Sequence, residues 1–174
     1  MGYFTVLSAT VQGLQTEFVR VEADVSNGLP VFHMVGYLSS EVREASERVK
    51  TAIRNIGCTL PAKRIVVNLS PADVKKRGTS YDLPIAVAVL ASLQAIPTGK
   101  LGNTLFVGEL GLNGEIQPVD GILSMVYEAK KRGVKCCVLP KKNEKEGRLI
   151  REIEIIGVSH LKEVCDWAKG IYEN

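Results

Sequence analysis

The 174-residue sequence is poor in the residues that build metal and redox centres, with two histidines and four cysteines. Cys58, Cys136, Cys137 and Cys165 contain no Cys-x-x-Cys pair, so a zinc knuckle and a dithiol redox motif are both excluded. His33 and His160 lie far apart and lack metal-ligand spacing, and neither has a nucleophile placed to use it as a base. No Gly-x-x-x-x-Gly-Lys-Ser/Thr run occurs, which excludes a P-loop, and no Gly-x-Gly-x-x-Gly occurs. Gly108, Gly111 and Gly114 read instead as turn residues of a hairpin. Long hydrophobic runs are missing too. The most apolar stretch, Leu83 to Leu93, is well short of the ~20 residues that span a bilayer. Met1-Gly2-Tyr3-Phe4 has neither the basic start nor the apolar segment of a secretion signal. The expectation is a cytoplasmic protein with no membrane partner, no metal and free, buried thiols.

What is present is ordinary for a globular domain. Apolar residues make up 45% and charged residues 24%. One chain of this length buries a core without staples, so a single domain over 1–174 is expected. The 22 Lys and Arg against 19 Asp and Glu leave +3, too slight to decide for or against nucleic acid.

Periodicity supplies the elements. Tyr3 to Val11 starts as a strand, Gln12-Gly13-Leu14-Gln15 is a turn, and Glu17 to Val25 alternates Val19, Val21, Ala23 and Val25 against Arg20, Glu22 and Asp24. Val31 to Val35 and Arg64 to Leu69 are further strands. Between them, Ser39 or Ser40 caps a helix to about Ile56, with Val42, Ala45, Val49, Ala52, Ile53 and Ile56 as its apolar stripe. Asp82 is expected to cap a second helix, with Pro84 in its first turn. That helix is apolar all round through Leu93, which makes it a buried central element. Leu105 to Leu110 and Glu115 to Val119 form a hairpin. Gly121 to Arg132 is a helix and Lys135 to Leu139 a strand that sends Cys136 and Cys137 to opposite faces. Asn143 to Ile150 is a short helix, Glu152 to Val158 the last strand, and Ser159 caps a final helix through Lys169. A meander followed by alternation gives an α+β (mixed α/β) fold.

Several segments agree in order and spacing with one family. They are Val25-Ser26-Asn27-Gly28-Leu29-Pro30, Glu47-Arg48-Val49-Lys50, Pro61 to Asp73 (PAKRIVVNLSPAD), Lys76 to Pro84 (KRGTSYDLP), Phe106 to Leu110 (FVGEL) and Gly114 to Gly121 (GEIQPVDG). This set resembles the N-terminal domain of the Mg-chelatase-like AAA+ ATPases, the ComM/YifB family, from about Phe4 to Trp167. One departure is Gly36-Tyr37-Leu38-Ser39, where the family usually reads Gly-Leu-Pro-Asp. The resemblance implies the ribosomal protein S5 domain 2-like, Lon protease-domain-like fold, including a left-handed β-α-β crossover that the usual handedness rule would not suggest.

It also implies a chemical comparison. In Lon-type proteases a serine after Gly-Pro opens a buried helix, and a lysine two residues beyond a Pro-x-Gly-Gly motif takes its proton. Gly78-Thr79-Ser80 occupies the serine's place, so Ser80 stands at the nucleophile position. Pro118-Val119-Asp120-Gly121 is followed by Ile122 and Leu123, so Leu123 stands where the lysine would be. Leucine accepts no proton, and the dyad is broken. Ser80 is then a polar residue near the cap of the central helix, or a nucleophile served by a relocated base such as Lys63, Lys75 or Lys76. These lysines read as solvated, and a solvated lysine near pKa ~10.4 is a poor base. Lys63, Arg64, Lys75, Lys76 and Arg77 are also the anion or nucleic-acid binding candidates, if they cluster beside the start of the central helix.

The leading expectation is a non-enzymatic accessory domain of a larger ATPase. The resemblance implies an AAA+ module downstream that would bind ATP and Mg, form a homo-oligomer, a hexamer in the parent, and process DNA in branch migration during transformation. No cofactor is expected in this chain. A Lon-like serine peptidase and a stand-alone nucleic-acid-binding module are the alternatives.

Overall fold

The computed structural model describes residues 2–173. Strands β1 (Tyr3–Gln12) and β2 (Gln15–Ser26) form a long hairpin about Gly13-Leu14, where Gly13 has a φ of 65°. They are followed by β3 (Val31–Val35), helices α1 (Ser40–Arg43) and α2 (Ala45–Asn55), β4 (Arg64–Ser70) and α3 (Asp82–Ser92). The second half holds β5 (Thr104–Phe106), a small hairpin of β6 (Glu109–Leu110) and β7 (Ile116–Gln117), α4 (Ile122–Lys131), β8 (Cys136–Pro140), α5 (Glu144–Gly147), β9 (Glu154–Val158) and α6 (Leu161–Lys169).

One seven-stranded sheet takes the order β3-β4-β2-β1-β5-β8-β9. β2 runs antiparallel to both β1 and β4, while β3/β4, β1/β5, β5/β8 and β8/β9 are parallel. This is the mixed α+β architecture expected of an S5-like domain. Alternation decides the faces, as in any half-covered strand. Val19, Val21, Ala23 and Val25 are buried, while Arg20 is exposed. One core lies under α2, α3 and α6, and a second lies on the opposite face of β5, β8 and β9 under α4. Cys136 faces the first core and Cys137 the second, as alternation requires. Every residue of α3 is buried, in keeping with a helix that has no polar side. Among the described residues no helix is long and apolar enough to cross a membrane.

The expected helix from Ser39 to Ile56 divides in two. Ser39 does cap it, its Oγ accepting the Val42 N–H at 3.4 Å. At Glu44 the ladder tightens, with the Glu47 N–H bonding the Glu44 carbonyl at 3.0 Å, and α1 ends there. Val42, Ala45, Val49, Ala52 and Ile53 nevertheless all reach the core. The expected strand from Leu105 to Leu110 also divides. β5 stays in the main sheet, and the chain leaves it at Gly108, where an added Cβ would come within 3.0 Å of Ile116. The cap of α6 is His160, one residue after the expected Ser159. Its Nδ1 accepts the Lys162 N–H at 3.1 Å, and the Ser159 N–H donates instead to Glu163.

Candidate functional site

Three segments that carry most of the expected chemistry enclose one cleft of about 650 Å³. They are the end of β1 with its turn (Thr10–Gly13), the loop before α3 (Arg77–Ser80) and the loop before α4 (Pro118–Gly121), with Met125 completing the wall. The volume falls among those of small-ligand pockets, about 300–1,000 Å³.

Backbone bonds fix the loop before α3. Gly78 turns it with a φ of 82°. The Gly108 N–H donates to the Ser80 carbonyl at 3.0 Å, and the Leu83 N–H donates back to the Gly108 carbonyl at 3.0 Å. Ser80 is thereby held half-buried in the cleft wall. It does not cap α3. The N-cap is Tyr81, which makes no side-chain cap bond, and the Asp82 N–H is taken by the Thr79 carbonyl. Asp82 is not the cap either. It is the first helical residue, and its fully buried carboxylate turns inward to Arg48, with Nε at 2.7 Å and Nη2 at 3.0 Å, and to the Leu110 N–H at 3.1 Å. Burial pushes its pKa above the ordinary aspartate value, and the Arg48 and Leu110 bonds oppose that rise. The neighbouring Tyr81 hydroxyl is buried with no hydrogen-bond partner among the described residues. Burial pushes its pKa up to about 12, with the nearby Thr10 side chain moderating the rise.

Leu123 is the second residue of α4 and is 41% exposed. It lies outside the residues that line the cleft, whereas Gly121 just before it lies inside. Gly121 has a φ of 82°, and a Cβ there would sit 2.7 Å from Val11. Glycine at this position lets the α4 loop approach β1 closely enough to form the cleft.

The five basic candidates do not form one cluster. Arg64 opens β4 and pairs with Ser26, while Lys75 lies beyond the other end of that strand, its carbonyl accepting Gln12 Nε2 at 2.8 Å. The seven residues of β4 alone separate them by about 20 Å. Lys63 donates to Asn27 Oδ1 at 2.6 Å. Lys75 stands 5.6 Å over the Tyr37 ring. Lys76 is not solvated as expected, because it is fully buried. Its ammonium donates to the Pro71 carbonyl, and its backbone bonds Tyr37 and Ser39, strapping this loop to the approach to α1. Burial draws its pKa below the ordinary lysine value, and Asp73 opposes the shift. Arg77 alone of the five lines the cleft, exposed and without an ion pair among the described residues.

Two groups in this region carried no sequence signal of their role. Arg48 looked like one cation among several on an amphipathic helix, and only the fold sets it against Asp82. Thr10 and Val11 read simply as a strand end and Gln12 as part of the turn. Among the described residues no three His, Cys, Asp or Glu side chains gather as metal ligands. Gly108 and Gly114 pack closely against Ile116 and His160.

Residues 21–143 match the family described as Subunit ChlI of Mg-chelatase. The chain is 42% identical to YifB of Escherichia coli over 91% of its own length and 31% of that protein's. It is 35% identical to the competence protein ComM of Haemophilus influenzae over 98% of its length and 33% of the relative's. A weaker likeness, 29% identity over 80% of the chain, joins it to 26% of Lon protease 2 of Bacillus subtilis. The chain thus spans about a third of the length of YifB and ComM. On this match, which covers the cleft's Arg77–Ser80 and Pro118–Gly121 loops, the chain belongs to the Mg-chelatase-like family that includes YifB and ComM.

Proposed function

We propose that the chain is a non-catalytic accessory domain of a Mg-chelatase-related AAA+ ATPase that processes DNA, and that it helps the motor oligomerise or guides its substrate. The observation that carries the non-catalytic half is Ser80 in a cleft whose lining includes no lysine, with Leu123 standing where the resemblance puts one. Asp120 is the carboxylate of the lining and Arg77 its cation. The AAA+ module, its ATP and Mg, the hexamer and a cytoplasmic location all belong to the proposal. The support for a motor is that YifB and ComM are about three times as long as the part matched here. DNA contact would fall to Lys63 and Arg64 at one end of β4 and to Lys75 and Arg77 at the other. Such contact should weaken with salt.

The competing reading is a serine peptidase with a relocated base, and the lowered pKa of buried Lys76 favours it. Against it, Lys76 is absent from the cleft wall and its ammonium is engaged by Pro71. The chain, mixed with peptide pools and followed by mass spectrometry, is expected to cleave nothing. Hydrolysis that disappears in both Ser80→Ala and Lys76→Met would establish the peptidase. For the motor, the coding sequence past Asn174 should contain a Gly-x-x-x-x-Gly-Lys-Ser/Thr segment, and the longer protein should hydrolyse ATP faster with DNA present. A stop codon at that point would refute it.

A further inference from the structure

The cleft contains an open strand edge. β5 meets β1 at one register position only, Leu7 opposite Leu105, and then leaves toward Ser80 through Gly108. Beyond Leu7, β1 continues to Gln12 with β2 on one side and the cleft on the other. The direction of its backbone groups follows from the turn. Gln12 and Gln15 close a two-residue hairpin, so these two residues exchange both of their bonds. Orientation alternates along an antiparallel strand, so Thr10 also faces β2. Val11 therefore turns its N–H and C=O away from β2, into the space bounded by Arg77–Ser80 and Pro118–Gly121. Opposite Thr16 they sit at a non-hydrogen-bonded position of the ladder, and outside the ladder no group of the described residues bonds to them. Unpaired strand groups are a template for another strand.

We propose that this cleft binds an extended polypeptide segment of a partner protein, which adds as a strand along the free edge of β1 at Val11 and is held without being cleaved. Strand addition draws affinity from main-chain bonds and selectivity from the walls. The walls here are Met125 and Val119 on the apolar side and the Thr79 and Ser80 hydroxyls on the polar side. Arg77 on one loop and Asp120 on the other are exposed and unpaired among the described residues, so a segment carrying charges of both signs fits in one direction. A nucleic-acid strand suits the cleft poorly. No aromatic side chain lines it for stacking, and its one cation is offset by Asp120. The inference does not depend on the motor reading. Absence of ATP hydrolysis by a longer protein would leave it intact, and absence of peptide binding would leave the motor reading intact.

The test is amide NMR of the ¹⁵N-labelled chain with a pool of acetylated, amidated pentapeptides built from Val, Thr, Glu and Lys. At about 5 mM the pool fills a site of millimolar affinity. The Val11 amide should shift and exchange with solvent about tenfold more slowly, Gly78 to Ser80 should shift, and the peptides should remain intact. The same pool N-methylated at every residue, which removes the donors of both strand edges, should produce no protection. Thr79→Trp, or Ser80→Met if that variant does not fold, should abolish the response while leaving the remaining spectrum in place. An unchanged Val11 exchange rate at that concentration overturns the proposal, as do shifts confined to other surfaces or equal protection by the N-methylated pool. An eight-nucleotide poly-dT strand that moves these resonances when the peptides do not would overturn it in favour of nucleic acid.

Discussion

At the scale of single residues, Asp82 and Arg48 organise the neighbourhood of the cleft. The Arg48 side chain is one-fifth exposed and the Asp82 side chain is fully buried, so the two ends of the pair have unequal access to water. Arg48 also donates to the Glu41 carbonyl at 2.8 Å, which ties α1, α2 and the start of α3 to one guanidinium, with β6 joined through the Asp82 carboxylate. Arg48→Met should leave a carboxylate that water cannot reach, at a cost of about 3 kcal/mol at pH 7. Burial already raises the Asp82 pKa against the pull of Arg48, and the variant loses that pull. A carboxyl with a raised folded pKa favours folding when protonated. Its contribution is complete below the unfolded pKa and is lost as pH rises through the folded one. Urea unfolding of the variant should therefore show a smaller deficit at pH 5 than at pH 7. An equal deficit at both values would mean that Asp82 stays ionised without Arg48. The sequence offered Asp82 as a helix cap and Arg48 only as part of a family motif. Their pairing spans 34 positions, and no local pattern encodes it.

At the scale of elements, the two edges of the sheet are built differently. β3 ends the sheet with Val31, His33 and Val35 exposed. β9 ends it with a side-chain seal at Gly157. The Gly157 N–H donates to Glu144 Oε2 at 3.1 Å, and the Tyr172 hydroxyl donates to the Gly157 carbonyl at 2.7 Å. A Cβ at this position would clash with the Glu144 carboxylate, which would have to move aside. Gly157→Ala should displace that carboxylate and cost about 1–2 kcal/mol, seen as a fall of a few degrees in Tm. Glu144→Ala removes the same contact, so the double variant should cost less than the sum of the single changes. Additive losses would mean that the seal is not one unit. The sequence placed a short helix and a strand here correctly in kind, since both have clear patterns. It could not show that a glutamate of the helix closes the strand's edge. The breaks at Glu44 and Gly108 escaped it for a related reason. Apolar periodicity continues through both, and only the hydrogen-bond ladder changes.

At the scale of the molecule, the order of elements and the burial of α3 were legible because they rest on apolar patterns that tertiary contacts did not override. The cleft was legible only in part. Ser80 and the Gly121 loop were found through the family's motifs, while Val11 contributes main-chain groups that no side chain announces. The two cores raise the question of whether the domain unfolds as one body, and the cysteines can answer it. Cys136 and Cys137 are neighbours on β8 but belong to opposite cores. Burial pushes the Cys137 thiol up to about 12 and Cys165 to about 11, and it raises Cys136 as well. Thiolates are the reactive form, so these three should resist a thiol reagent at pH 8 in the native protein. Cys58 is only partly buried and should react first, though more slowly than a free thiol because burial raises it too. As urea is added, Cys136 and Cys137 should become labelled at the same midpoint if both cores depend on the shared strands β5 and β8. Peptide mapping by mass spectrometry resolves the two sites. Labelling of Cys137 ahead of Cys136 would show that the α4 layer opens by itself. The Gly121 approach to β1 would then be the least stable wall of the cleft.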